Sequence, residues 1–336
     1  MFNKYVIFKS DEQEVLYLYL SNENYNISKI KTIAIDYINT KNIAFKGHLV
    51  CIVLDEKIIF SFYYSVEEID NDEAFKIKLK QKDTTICLSM KNYLLGVMAN
   101  ESIPTFENEA LKAHAVLLRT YAFKKMLEQG FVDEINDIQC YKDISFFKLL
   151  WMENYDFFYK KFIKAIKETS GEYLAKNGTM IKPYFHLAGN GVTETKENEY
   201  LVSVGSVWDL DDKLYLGHFK IKKKDMAHNL NVLENDLEKV KITKKSKSNR
   251  NLELIIGNKL FDGKIFTSLL GLPSEDFTIT LTKDEVYFTT RGRGDGLGMS
   301  LTGANGMANN RYSYYQILKH YFPLMTIWKL LKNNQQ

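Results

Sequence analysis

Only three cysteines and four prolines occur among the 336 residues, and no apolar run approaches the ~18–20 residues that a membrane-spanning helix needs. Cys51, Cys87 and Cys140 stand far apart, so the sequence holds no CxxC pair, zinc knuckle or disulfide framework. Cys51 in LVCIVL and Cys87 in TTICLSM have apolar neighbours and both read as buried thiols. The N-terminus meets Lys9, Asp11 and Glu12 before it can build the apolar core of a signal peptide or an anchor. A formal net charge of +3 is close to balance, which gives no reason to expect nucleic acid as a partner. With little proline, no Ser/Gly-rich linker and no internal repeat, domain boundaries are faintly marked.

What is present is core-forming material: 45% hydrophobic residues, with 21 Tyr and 21 Phe, enough for one large domain or two smaller ones. Up to about residue 88 the chain reads as β-rich. Tyr5–Lys9, Val15–Tyr19, Leu49–Leu54, Ile58–Tyr63 and Phe75–Leu79 are short and rich in Val, Ile, Tyr and Phe, with polar turn clusters between them. From Glu109 to about residue 128 helix formers dominate, and Leu111, Ala115, Leu118 and Ala122 fall on one face, which predicts a long amphipathic helix. Phe146 to Thr169 predicts one or two more. Asn177-Gly178 signals a hairpin turn between strands at Glu172–Ala175 and Ile181–Phe185, and the basic run at 238–251 reads as a solvated hairpin. The expected fold class is α+β: a β-rich part at 1–88, then a mixed region at 89–330 with a central long helix and β-hairpins.

The stretch from Lys91 to Met126 carries the most chemistry. Pro104 and Thr105 break the chain ahead of the long helix, and Glu101 is expected in the short loop before it. A glutamate in such a place is ordinarily a solvated surface residue; in an apolar pocket it becomes a catalytic acid. LLGVMANE at 94–101 followed by EALKAHAVLLRTYA at 109–122 resembles the signature of the SpoIID/LytB family, whose usual form is YLxGVVxxEMP…EALKAQAVAARTYA. PYFHLAGNGVTET at 183–195 is similar to that family's FHSxSGGxTE block, LVSVGSVWD at 201–209 to its YLxSVxSPWD, and GRGDGLGMSLTGANGMANNRYSYYQILKHYFPLMTI at 292–327 to its GxGHGVGMSQYGA segment. Four blocks in order are far more specific than any one of them, and residues before about 92 carry none.

The resemblance implies a catalytic domain at 89–330 and a peptidoglycan lytic transglycosylase with Glu101 as its acid, cleaving the MurNAc–GlcNAc bond to leave 1,6-anhydro-MurNAc ends. Its setting would be septal wall remodelling and engulfment in sporulation, outside the cytoplasmic membrane, where family members usually carry an N-terminal anchor. Partners would be glycan strands, with a cell-wall amidase and other engulfment proteins. The family's other branch implies an alternative: a non-catalytic glycan-binding protein that stimulates an amidase.

The other candidates follow from the same blocks. Arg119 and Tyr121 lie on the long helix; a guanidinium orients sugar hydroxyls by forked bonds or makes a surface ion pair, and both readings stand. His186, Asn190, Thr193 and Glu194 fall in a polar loop suited to carbohydrate hydrogen bonds, and Asp295 and Ser300 in the last block complete the set of substrate-binding residues. The glycines at 292, 294, 296 and 298 fail phosphate-loop spacings and suggest backbone flexibility beside a groove. Three departures stand out: Asp295 replaces the block's histidine, Leu301-Thr302 its Gln-Tyr, and Asn190 its Gly or Ser. The zinc that some family members bind between the helix and the FHS block has only Cys140 available here, and no cofactor is expected. Elemental analysis of the purified protein should therefore find no stoichiometric zinc; one zinc per chain, with activity lost on chelation and restored by the metal, would contradict this.

Overall fold

The computed structural model describes residues 2–9, 14–21, 49–55, 57–63, 71–135, 137, 139–196 and 200–329, with positions 30, 33, 34, 37 and 38 besides. The chain divides into two compact units, Met1–Asn71 with Lys329–Gln336, and Asp72–Trp328. The fold is α+β. The expected division near residue 88 falls inside the second unit.

The first unit holds a mixed four-stranded sheet in the order Phe2–Lys9, Glu14–Leu20, Leu49–Leu54, Lys57–Tyr63. Its two middle strands run parallel and the outer pairings are antiparallel. Leu16, Leu18 and Leu20 recur at the strand period of two and, with Val50 and Ile52, pack under Ile30, Ala34 and Ile38. Cys51 is buried as expected.

In the second unit the described helices are α1 (Asn71–Ala74, which begins at the unit's edge), α2 (Met90–Glu101), α3 (Asn108–Gln129), α4 (Ile144–Trp151), α5 (Tyr155–Glu168), α6 (Lys223–Leu230), α7 (Gly263–Leu270), α8 (Leu301–Asn309) and α9 (Tyr314–Tyr321). The fifth expected strand, observed at Lys76–Lys80, pairs with Thr85–Ser89 and Val132–Asp133. In Thr85–Ser89, Ile86 and Leu88 turn partly inward, so the period-two alternation leaves Cys87 exposed rather than buried. Asn177 and Gly178 both take positive φ (50° and 80°) in the predicted hairpin turn. The returning strand is only Thr179–Met180, however, and Phe185–His186 instead pairs in parallel with Met299–Ser300. A separate layer at 216–291 surrounds Met226, Leu230, Leu254, Phe266, Phe277 and Phe288. It includes the expected hairpin, Val240–Lys245 against Asn251–Ile256.

α3 is the long helix, ended by Gly130 at φ 78°. It is not amphipathic. Residues 110, 111 and 113–123 are all buried, because α2, α5, α8, α9 and strand Glu172–Lys176 pack around it. Two of the polar groups it carries inward, Arg119 and Thr120, are fully engaged. Arg119, fully buried, grips the Asp72 carboxylate with two nitrogens (Nε to Oδ1 2.8 Å) and donates to the carbonyls of Glu172 at 3.0 Å and Ile166 at 3.2 Å. The Thr120 hydroxyl donates to Val116 O and accepts from Leu174 N.

Removing one member of a buried pair strands the other charge, so Arg119→Met should lower unfolding free energy by about 3–5 kcal/mol, and Arg119→Met with Asp72→Asn by less. Urea denaturation reads both; an Arg119→Met protein as stable as wild type would show that the pair does not support the fold.

Candidate active site

Glu101 is the last residue of α2, not a loop residue: LLGVMANE continues the helix begun at Met90, and the chain leaves it only at Ser102, whose backbone N–H bonds Met98 O. Proline at position 104 ends the helix further along than the sequence suggested. The helix end is pressed against the segment at 139–142. A Cβ on Gly96 would come within 2.4 Å of the Lys142 carbonyl oxygen and the Tyr141 ring, so glycine alone admits this approach. The result is that Cys140 N donates to Glu101 Oε1 at 2.9 Å.

The other carboxylate oxygen, Oε2, is buried and has no hydrogen-bond partner. It faces His114 Nε2 at 3.9 Å, also buried and without a partner. His114 lies on α3, and its Nδ1 is 2.6 Å from Ser102 Oγ. The Phe185 ring packs edge-on against the imidazole, centroids 4.6 Å apart. With its side chain only 14% exposed, Glu101 is pushed up to about 7 by burial, against the lowering effect of the Cys140 N–H. Burial drives His114 down to about 3, so its imidazole is neutral at physiological pH.

The C-terminal blocks meet beyond Phe185. His186 and Asp295 line a cavity of about 380 Å³ with Phe185, Gly294 and, from α7 and the turn after it, Lys264, Thr267 and Glu275. Glu101 does not line it; Phe185, which touches His114, is the residue common to both. In the glycine run Gly292, Gly294, Gly296 and Gly298 all have positive φ (76°, 113°, 76° and 69°), a backbone conformation that side chains disfavour. The run is also tied by Ala188–Arg293 and Glu194–Gly296 backbone bonds. A Cβ on Gly294 would meet His186 Cβ at 2.6 Å. His186 Nδ1 lies 3.1 Å from the Leu297 carbonyl, and burial holds this imidazole below its usual range.

Other sequence candidates turn out to be internal supports. Asn190 bonds Ser248 O at 2.6 Å, Asp276 Oδ2 at 2.9 Å and Arg250 Nη1 at 3.1 Å. Glu194 Oε1 accepts from the hydroxyls of Ser246 and Ser248, and Thr193 is buried against Val204. Ser300 caps α8 and donates to Asp209 Oδ1 at 2.6 Å. The tip of the basic hairpin is thus docked, with Ser248 and Arg250 buried, where a solvated turn was expected. Tyr121 is buried and donates to Asp137 at 2.8 Å. Arg119, in its core ion pair, presents nothing to a ligand, and neither the sugar-orienting nor the surface-pair reading describes it.

Sequence reasoning missed His114, Ser102, Asp209 and Arg250. A histidine in the otherwise apolar face of ALKAHAVLL is a signal for the first; Asp209 ends the block at 201–209, and Arg250 lies in the basic run at 238–251. Among the described residues no group of three or more His, Cys, Asp or Glu side chains is placed to hold a metal ion. No described helix is long and apolar enough to cross a membrane.

A family model described as "Stage II sporulation protein" (SpoIID) matches residues 79–175, the segment that holds Glu101, Ser102, His114 and Cys140. Stage II sporulation protein D of Bacillus subtilis is 32% identical over 250 residues, covering 70% of this chain and 73% of its own. The chain belongs to the SpoIID family. The Bacillus amyloliquefaciens stage II sporulation protein D is similar at 31% over the same shares, and an uncharacterized protein of Brachyspira hyodysenteriae at 30% over 70% of this chain and 65% of its own. In this SpoIID-family chain Glu101 lies within the matched segment, and α3 brings a second titratable group, His114, to that carboxyl.

A carboxyl protonated more readily in the folded than in the unfolded chain stabilises the fold fully below its ordinary value of 4.5, and that contribution drains away as pH rises toward about 7. The shift is worth about 3 kcal/mol. Glu101→Gln, which stays neutral, should therefore match wild type in urea at acid pH and exceed it by up to that amount above pH 7. A stability difference that does not change with pH would show that Glu101 titrates normally.

Proposed function

We propose that this SpoIID-family chain is a peptidoglycan lytic transglycosylase, with Glu101 as its single acid and base, working on septal wall during engulfment, outside the cytoplasmic membrane. The observation that carries the reading is the state of that carboxyl: buried, held by one backbone N–H, and raised to about 7, so that it enters the reaction protonated. Glycosidases that use water generally place a second carboxyl across the bond, whereas a transglycosylase recruits its nucleophile from the sugar, so that one titratable carboxyl is enough.

The chemistry balances on one side chain. Glu101 gives its proton to the glycosidic oxygen as the bond from that oxygen to C1 of MurNAc breaks. The C6 hydroxyl of the same MurNAc then forms the new C1–O6 bond, and its proton returns to Glu101. No water is consumed and the acid is regenerated. The cavity beside Phe185, with His186, Asp295 and Lys264, offers the polar lining that sugar hydroxyls require. Glycan strands are the substrate in this reading, and an amidase and other engulfment proteins its partners.

Mass spectrometry of purified glycan strands after incubation should show 1,6-anhydro-MurNAc ends, and Glu101→Gln should bind strands but cut them at least ~100-fold more slowly. Reducing ends in place of anhydro ends would indicate a hydrolase. If wild type cuts nothing yet accelerates an amidase, and Glu101→Gln does so equally, the protein is the glycan-binding stimulator instead.

A further inference from the structure

We propose that Ser102 and His114 form a positioning couple that aims a bare imidazole nitrogen at Glu101 and so keeps its carboxyl in the acid form at rest. The proposal deepens the reading of Glu101 as proton donor and rests on it for its role in catalysis, though not for its effect on the carboxyl.

Three groups on two helices are involved. Ser102 follows Glu101 directly, and its backbone N–H closes the last turn of α2 on Met98 O, so hydroxyl and carboxyl are carried by one fixed turn. His114 reaches them from α3. It is 1% exposed, its Nδ1 is at 2.6 Å from Ser102 Oγ, and the Phe185 edge bars the ring from swinging away. That leaves Nε2 and Glu101 Oε2, both buried, both without another partner, 3.9 Å apart. Two orphaned polar atoms facing each other at a buried site are costly unless they satisfy one another, and these stand about 1 Å beyond ordinary hydrogen-bond reach. Hydrogen bonds of catalytic groups are often long before substrate arrives.

Which proton lies between them depends on the far nitrogen, whose partner, the Ser102 hydroxyl, can accept or donate; in the proposed couple it accepts. A neutral imidazole carries one N–H. With that hydrogen on Nδ1, donated to Ser102 Oγ, Nε2 is an acceptor: it bonds a carboxylic acid and repels a carboxylate. With the hydrogen on Nε2 the preference reverses. Ser102 Oγ, the partner of Nδ1, thereby influences the protonation of the residue next to it in sequence, and His114 acts through Glu101 without touching the substrate. The other titratable groups around the site are the Tyr93 phenol of α2, Tyr121 of α3, and Asp137 and Cys140 of the segment packed on both. Asp137 is engaged by Lys125 and the Tyr121 hydroxyl, and Tyr93 by Gln139.

The test reads the carboxyl directly. Infrared difference spectra, with the Glu101 acid C=O stretch assigned by its loss in Glu101→Gln, give the titration midpoint of Glu101 without substrate. Ser102→Ala removes the acceptor for Nδ1–H and frees the opposite tautomer, and His114→Gln places an amide donor within reach. Both should lower the midpoint by roughly one pH unit, the worth of one neutral hydrogen bond, while Ser102→Thr, which keeps the hydroxyl, should hold it. Where strands are cut, the alkaline limb of kcat/KM should move with it. A wild-type midpoint in folded Ser102→Ala overturns the proposal, and this small replacement decides alone if His114→Gln does not fold. A shifted midpoint in a protein that cuts no glycan would sink the transglycosylase reading and leave the couple standing.

Discussion

A helix buried on every side must find a partner for each polar group it carries, and that requirement on α3 organises the second unit. Arg119 draws in Asp72 from α1 and the carbonyls that end α5 and begin the next strand. Thr120 takes the N–H of Leu174. One and a half turns earlier, His114 meets Ser102 at the end of α2. The same helix thus anchors the elements that surround it and sets the environment of the candidate catalytic carboxyl.

Energetically the two polar contacts of α3 serve different ends. The Arg119–Asp72 pair is saturated: the guanidinium nitrogens have acceptors, and the carboxylate also takes the Gly171 N–H. A saturated buried pair gives positional specificity rather than reactivity. At His114 and Glu101 the bonding is left incomplete, with one atom on each side unpartnered. Incomplete satisfaction in a low-dielectric site is what holds a carboxyl near neutrality, and it is the state a group needs if it is to give up a proton and take one back.

The C-terminal blocks show a second economy. Most of their polar residues do not face a ligand; they hold a loop. Asn190, Glu194, Ser248 and Arg250 bind the hairpin tip to the loop at 190–194, whose Glu194 N–H bonds Gly296 O in the glycine run, and Ser300 and Thr302 bind Asp209. Alternate glycines in the run take positive φ, which suits glycine and disfavours side chains. What it presents to the cavity is His186 and Asp295, set on a scaffold of interlocked polar side chains.

Local chemistry in the sequence was enough for the helix at 108–129, the Asn177-Gly178 turn, the β-rich start, the α+β class and the likeness of four blocks to one family. Each depends on residues close in the chain, where propensity and period act directly. Position relative to solvent was not legible in the same way. Leu111, Ala115, Leu118 and Ala122 marked one apolar face, but only packing from five other elements buried the opposite one and turned Arg119 from a surface candidate into a core ion pair. Cys87 and the hairpin tip went astray for the same reason. The setting of Glu101 depends on Cys140, His114 and Gly96, residues brought together by the close approach of two helices and a loop. A carboxyl's proton affinity is fixed by what surrounds it in space, and this is the property that tertiary structure alone decided.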